Sequence, residues 1–472
     1  NRILRCSLGE IGNQAVGSTR VLSTISNSSI NWIIGAGLGQ GASMPAIVDP
    51  TLSWERVRTT DVGLDLGILR NELSVGFDWY QRDTKDMLAP GMTRPSVLGT
   101  SAPYENAGSL RTRGWELSLN WNHTFGEWNV YAIAALSDAK TTITKWRNDA
   151  MTLASNYSGK EYGVIYGFET DRYFTVDDFE KNDDGTLKRT STGAYVMKPE
   201  IASQAGLESG NFHYGPGDVK YKDLNGDGVI NGGNPKMIEL NGKYYVPDDD
   251  GYEEAKANRD SKTVGTGTVY NHGDVKKIGN SLPRYEYSFH LGATWRGFDA
   301  DIYCQGVGKR DLWTTSTLVI PFSQSANDII YTHQLSHNQQ YFDENWNVIG
   351  WDVDQKNTYP AMYPGSYTSN SVPGVGSGSW NFLPQSRYIQ HLSYLRVKNI
   401  TLGYTLPRAL TQKASISKLR VYVSGDNLFF IQRGNHNVPL DPEITAEWSG
   451  DHTLGRTAQI PRTYSFGLQV TI

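Results

Sequence analysis

Residues 115–122 read WELSLNWN. Trp115, Leu117, Leu119 and Trp121 alternate with Glu116, Ser118, Asn120 and Asn122. A period of two is the geometry of a β-strand, whose successive side chains point to opposite faces, so this stretch predicts a strand with one apolar and one polar side. The pattern recurs. Leu73, Val75, Phe77 and Trp79 alternate with Ser74, Gly76 and Asp78. Tyr285, Tyr287, Phe289, Leu291 and Ala293 alternate with Glu286, Ser288, His290 and Gly292. The chain closes on Tyr464, Phe466, Leu468, Val470 and Ile472 against Ser465, Gly467, Gln469 and Thr471. Tight connections join several of these: Phe125-Gly126-Glu127 before a strand from Trp128, Arg296-Gly297 before Phe298–Gln305, and Leu69–Asn71 between Thr60–Gly67 and the strand from Leu73. About ten strands result, several of roughly 9–12 residues, the length that crosses a bilayer when tilted.

A soluble β-sandwich and a membrane β-barrel both alternate in this way. Three features favour the barrel. Trp79, Tyr80, Trp121, Trp128 and Trp295 are expected at strand ends, where aromatic girdles meet the lipid headgroups. The polar faces carry Glu, Asp, Asn and Gln, as a wet lumen requires. Short turns on one side contrast with very long segments on the other, at 140–278, 312–390 and 433–458, which are read as external loops. Loops of that length are expected to be functional. Within the second, Asn327–Trp346 has the look of a helix.

Composition agrees. The 472 residues include 27 Tyr, 13 Trp, 14 Phe and 49 Gly, and the net charge of −5 offers no basic field for nucleic acid. Mean hydropathy is −0.47 and no apolar run approaches the ~20 residues of a membrane helix. Cys6 and Cys304 are too few for a zinc cluster or a disulfide framework, although one bridge between them stays open. The chain opens on Asn1 with no signal peptide in view, which leads to the expectation of a fragment or processed product.

Few motifs carry chemistry. YKDLNGDGVING (221–232) places Asp223, Asn225 and Asp227 at alternate positions, then Gly228, in the manner of an EF-hand loop. Val229 would offer its carbonyl and Asn231 a further oxygen to a Ca2+ ion; the bidentate Glu expected last is replaced by Asn234. An Asx-rich turn held by side-chain-to-backbone hydrogen bonds explains the same residues without a cation. His333 and His337 have zinc-ligand spacing but no third ligand, so a solvated loop is the simpler account. GAGLGQG (35–41) lacks the spacing and the Lys of a phosphate loop, Asp248-Asp249-Asp250 reads as a solvated turn, and no G-x-S-x-G elbow is present. No residue is nominated as catalytic.

The strands also resemble a known family. LSWERVRTTDVGLDLGILRNELSVGFDWYQRDTKDML (52–88), ENAGSLRTRGWELSLNW (105–121) and PGDVKYKDLNGDGVING (216–232) are similar to segments of the SusC/RagA family of TonB-dependent outer-membrane transporters. So are 278–306, YLRVKNITLGYTLP (394–407), LRVYVSGDNLFFI (419–431), IPRTYSFGLQVTI (460–472) and the opening RCSLGEIGNQ. The resemblance spans nearly the whole chain. It implies an all-β, transmembrane antiparallel β-barrel, here the C-terminal strands of a 22-stranded barrel with long extracellular loops, in a Bacteroidetes-type outer membrane. The family's plug domain and TonB box are not recognisable in this chain, so they and the earlier strands are expected on a remaining N-terminal segment. Family barrels commonly end in an aromatic residue, whereas this chain ends in Ile472.

The resemblance further implies active import of oligosaccharides, with oligopeptides as the alternative cargo. The implied partners are a SusD-like surface lipoprotein acting as lid, TonB-ExbB-ExbD acting through the plug, and outer-membrane lipid. Tyr157, Tyr162, Tyr166, Tyr363, Tyr367 and Trp380 are candidates to stack on sugar or pack on the lid, or else to fill loop cores. Two other classes remain as alternatives: a calcium-dependent surface adhesin and a barrel-embedded hydrolase.

Overall fold

The computed structural model describes residues 2–13, 23, 25–34, 37–42, 47–91, 95, 97, 99–100, 102–208, 212–321, 330–335, 338–344, 348–361, 381–433, 438, 440–443 and 460–472. It divides into two units, Asn1–Tyr162 with Tyr287–Ala293, and Gly163–Glu286 with Thr294–Ile472. Ten long strands run through the described residues: β1 (Arg2–Asn13), β2 (Glu55–Ile68), β3 (Leu73–Pro90), β4 (Tyr104–Phe125), β5 (Trp128–Lys145), β6 (Arg284–Trp295), β7 (Phe298–Lys309), β8 (Tyr394–Thr405), β9 (Lys418–Gln432) and β10 (Thr463–Thr471). No helix among the described residues is long and apolar enough to cross a membrane.

In the first unit β1 to β5 pair antiparallel in chain order. Register turns the alternation of each strand into rows across the sheet. Leu4, Leu64, Phe77, Leu117 and Leu136 stand opposite one another on five successive strands, and Leu66, Val75, Leu119 and Ala134 form a parallel row. Val62, Leu64, Phe77 and Trp79 stay exposed on this face, an arrangement suited to lipid and hazardous in water. The opposite face carries Arg5, Gly63, Asp78, Glu116 and Ser137 in one row. There Arg5 bridges Asp65 and Asp78 at 2.7 and 2.9 Å. A Cβ on Gly63 would lie 2.2 Å from the Asp78 carboxylate, so the glycine makes room for the ion pair.

Glycine also seats aromatic rings on the polar face. Tyr80 lies opposite Gly114, and a Cβ there would come within 2.6 Å of the ring. Tyr131 covers Gly292 in the same way, and in the second unit Tyr422 covers Gly467. Each tyrosine replaces the packing that a side chain on the neighbouring strand would have supplied.

The second unit pairs β7, β8, β9 and β10 antiparallel in chain order. Gly126-Glu127 is a two-residue hairpin between Phe125 and Trp128, with Gly126 at φ 61°. Arg296-Gly297 uses φ 47° and 90°, the primed geometry that matches strand twist. Leu69, Arg70 and Asn71 all adopt left-handed φ values, unusual for Leu and Arg. The connection between β8 and β9 is longer than these tight turns and holds a short helix, Arg408–Thr411.

Two expectations need correction. Trp79, Tyr80 and Trp121 are not at strand ends, because β3 continues to Pro90 and β4 to Phe125. Asn327–Trp346 is not a helix in its described part: Thr332–Gln334 is a single 3-10 turn, and Gln339–Phe342 is a strand paired with Val348–Asp352. Trp128 and Trp295 do fall at strand ends.

The packing of Tyr80 on Gly114 yields a prediction. Gly114→Ala should lower stability by about 1–3 kcal/mol through overpacking. Gly9→Ala, where nothing lies within 4 Å of the added carbon, should be nearly neutral. The temperature at which the folded protein loses its fast mobility on a gel reports both.

Candidate functional site: the folded long loops

The long segments between strands are not featureless. In the first unit, Lys160 is buried and its Nζ donates to the carbonyls of Leu153 and Ser155 at 2.8 and 2.9 Å. Its charge sits over the Tyr157 ring, so Tyr157 fills a loop core, while Tyr162 is exposed. Desolvation lowers the Lys160 pKa.

In the second unit the loops build an aromatic core. Tyr173, Phe174, Phe179, Tyr214 and Tyr221 come from the first loop, Tyr359, Phe382 and Tyr388 from the second, and Val438 and Leu440 from the third. Residues hundreds of positions apart thus share one cluster, the kind of contact that periodicity cannot announce. Tyr166 lies on the short strand Val164–Phe168, partly buried. Tyr363, Tyr367 and Trp380 fall outside the described residues.

Buried amides and a carboxylate satisfy the short strands of this core. Asn381 accepts the Val219 amide at 2.7 Å and donates to Asp218 at 2.7 Å. Gln204 accepts the Tyr221 amide and donates to the Val219 carbonyl. Gln385 donates to the Tyr221 hydroxyl and the Asn381 carbonyl. Left unpaired, each such group would cost roughly 1–3 kcal/mol. The base of the third loop is tied to β8 by Arg396 to Asp441 and Lys398 to Glu443, both at 2.6 Å.

The turn of 223–231 is closed by its own amides. Asp223 accepts Gly226 and Gly228 at 2.6 and 2.9 Å, Asn225 accepts Asp227, and Asp227 accepts Val229. Asn231 accepts Gly233 and donates to the Val229 carbonyl. Asn234 is engaged with Asn271 through its backbone. A carboxylate absent from the linear motif arrives from Asp274, whose two oxygens accept the Leu224 and Asn231 amides at 2.7 and 2.9 Å. Burial raises the Asp274 pKa, aided by the nearby charges of Asp223 and Asp227 and opposed by these two amides. A cation is not needed to close the turn, and no group of three or more His, Cys, Asp or Glu is gathered for a metal among the described residues. His333 meets the Leu318 carbonyl through Nε2 at 2.9 Å, and His337 lies outside the described residues. Cys6 and Cys304 are free thiols, the first exposed and the second buried.

Comparison with known proteins gives a consistent answer. Residues 17–198 match the family model described as TonB dependent receptor-like, beta-barrel. TonB-dependent receptor P3 of Formosa agariphila is 25% identical over 457 residues, covering 93% of this chain and 37% of its own length. TonB-dependent receptor SusC of Bacteroides thetaiotaomicron is 22% identical over 448 residues, covering 93% of this chain and 35% of its own. The solved RagAB peptide transporter superposes with a TM-score of 0.57 at 19% identity, over 99% of this chain and 40% of that one. Over nearly its whole length the chain is similar to TonB-dependent receptors, SusC among them, and residues 17–198 match the β-barrel of that family. That family consists of transporters rather than enzymes. The chain spans less than two fifths of the length of these curated relatives.

The ion pair of Arg172 and Asp178 makes the loop core pH-sensitive. Arg172 grips both carboxylate oxygens at 2.5 and 2.6 Å, and the Thr175 amide and hydroxyl donate to the same group. Burial opposes the charge on Asp178, but Arg172 and Thr175 outweigh it and hold the carboxyl below its usual range. A lowered folded-state pKa contributes stability above the unfolded value of roughly 3.9 and loses it as pH falls through the folded value. Asp178→Asn should therefore cost about 1–3 kcal/mol at pH 7 and progressively less toward pH 2, read by near-ultraviolet circular dichroism melts of the loops.

Proposed function

We propose that this chain supplies wall and external loops to a transporter that imports oligosaccharides across the outer membrane, energised through TonB and working with a SusD-like lipoprotein lid. The observation that carries the reading is the combination of a lipid-facing strand wall with a folded loop shell held by structural contacts rather than by catalytic ones. Loops with a packed core of their own position a ligand at low entropic cost. The relatives with TonB-dependent receptor in their names support the energy source.

A second reading, import of oligopeptides, is favoured by one observation: the likeness to the RagAB peptide transporter runs over 99% of the chain. The two are separated by uptake of fluorescent oligosaccharides and oligopeptides into cells with and without the gene. Oligosaccharide uptake should fall at least tenfold on disruption and on collapse of the proton-motive force, with peptide uptake unchanged. Loss of peptide uptake with oligosaccharide uptake intact would establish the second reading instead.

A further inference from the structure

The first loop carries a small unit with its own core. Ile238–Leu240 is its middle strand, paired with Lys243–Tyr245 on one side and Lys262–Thr263 on the other. Alternation sends Ile238 and Leu240 to one face, where they pack with Tyr245 against Tyr252 and Ala255 of the helix Tyr252–Ala257. The opposite face carries Glu239, with Tyr244 and Lys262 beside it in register.

That second face holds two large rings in the open. Tyr244 is 38% exposed and Tyr270 is 49% exposed. Their centroids are 5.3 Å apart and their planes differ by 16°, so they lie stacked in parallel. Two stacked tyrosines on an uncovered sheet face add little to the core on the other side; burial would have gained about 1.5–3 kcal/mol for a large apolar side chain. Glu239 is held in place by the Gly242 amide, which it accepts at 2.6 Å. The row therefore presents aromatic faces flanked by one fixed carboxylate and one ammonium.

We propose that this face is a sugar platform that takes pyranose rings of a neutral oligosaccharide, an inference that rests on the oligosaccharide-import reading. A pyranose has an apolar C–H face and a rim of hydroxyls. The electron-rich ring faces of Tyr244 and Tyr270 match the C–H face. Glu239 accepts from hydroxyls at the rim and Lys262 donates to them. The charges of Glu239 and Lys262 cancel, so the row complements an uncharged glycan better than an anionic or cationic one.

The test uses the complete transporter in detergent and titrates cellohexaose, maltohexaose, mannohexaose and xylohexaose by calorimetry. The wild type should bind at least one of them. Tyr244→Ala and Tyr270→Ala should each weaken that binding roughly three- to tenfold, the range expected for loss of one aromatic contact. Tyr270→Phe, which keeps the ring face, should restore it, and melting temperatures should be unchanged because both rings are exposed. Affinities within twofold of wild type in both alanine variants overturn the platform while leaving oligosaccharide import standing. Release of a co-purifying lipoprotein by those variants, with glycan affinity intact, also overturns it and makes the face a protein-docking surface. Failure of the wild type to bind any of the four overturns both readings.

Discussion

In hydrocarbon, a backbone amide or carbonyl without a partner costs several kcal/mol, and everything in the strand wall follows from that constraint. Strands satisfy it by pairing along their whole length, and pairing in register is what lines up Leu4, Leu64, Phe77, Leu117 and Leu136 into a single apolar row. The other face is released from the constraint and fills with charge. Arg5 between Asp65 and Asp78 and Tyr80 over Gly114 show how side chains of unequal size are fitted there. Small residues next to large ones keep that face dense without pushing neighbouring strands apart.

In the long loops the problem changes from pairing to burial. The loops answer with an aromatic core drawn from three separate segments, and they pair its strand edges with buried Asn381, Gln204 and Gln385. Loops with a packed core of their own leave little ordering to be done on binding. The exposed side chains of such a shell, and not its core, are where recognition chemistry belongs. Tyr157 illustrates the difference, since it is an aromatic residue of a long loop yet committed to packing under Lys160.

The wall was legible in the sequence and the loops were not, for one physical reason. Alternation is visible only where one face meets lipid and the other meets water. Leu73–Trp79 alternates cleanly; Gln81 to Asp86 is polar on both faces, so no alternation marks it, yet β3 runs on to Pro90. At 22 residues β4 is also far longer than the roughly 9–11 residues that cross a bilayer. In the loops, partners such as Asp274 for the 223–231 turn lie too far along the chain for any local pattern to reveal them. The Asx spacing of Asp223, Asn225 and Asp227 did foretell a turn closed by side-chain-to-backbone bonds. Asn327–Trp346 misled because a run of polar and apolar residues in a folded loop can imitate a helical face, while tertiary packing there favours a hairpin.

The central claim, that the alternating strands form a membrane wall, is most directly tested by a cysteine scan of residues 73–79 in native outer membranes, with Cys6 and Cys304 first replaced by serine. Each position is challenged with a membrane-impermeant aqueous thiol reagent and with a lipid-confined one. The account predicts strict alternation: Leu73, Val75, Phe77 and Trp79 positions labelled from lipid, Ser74, Gly76 and Asp78 positions from water. Aqueous labelling of all seven positions, or labelling with no period of two, would contradict it.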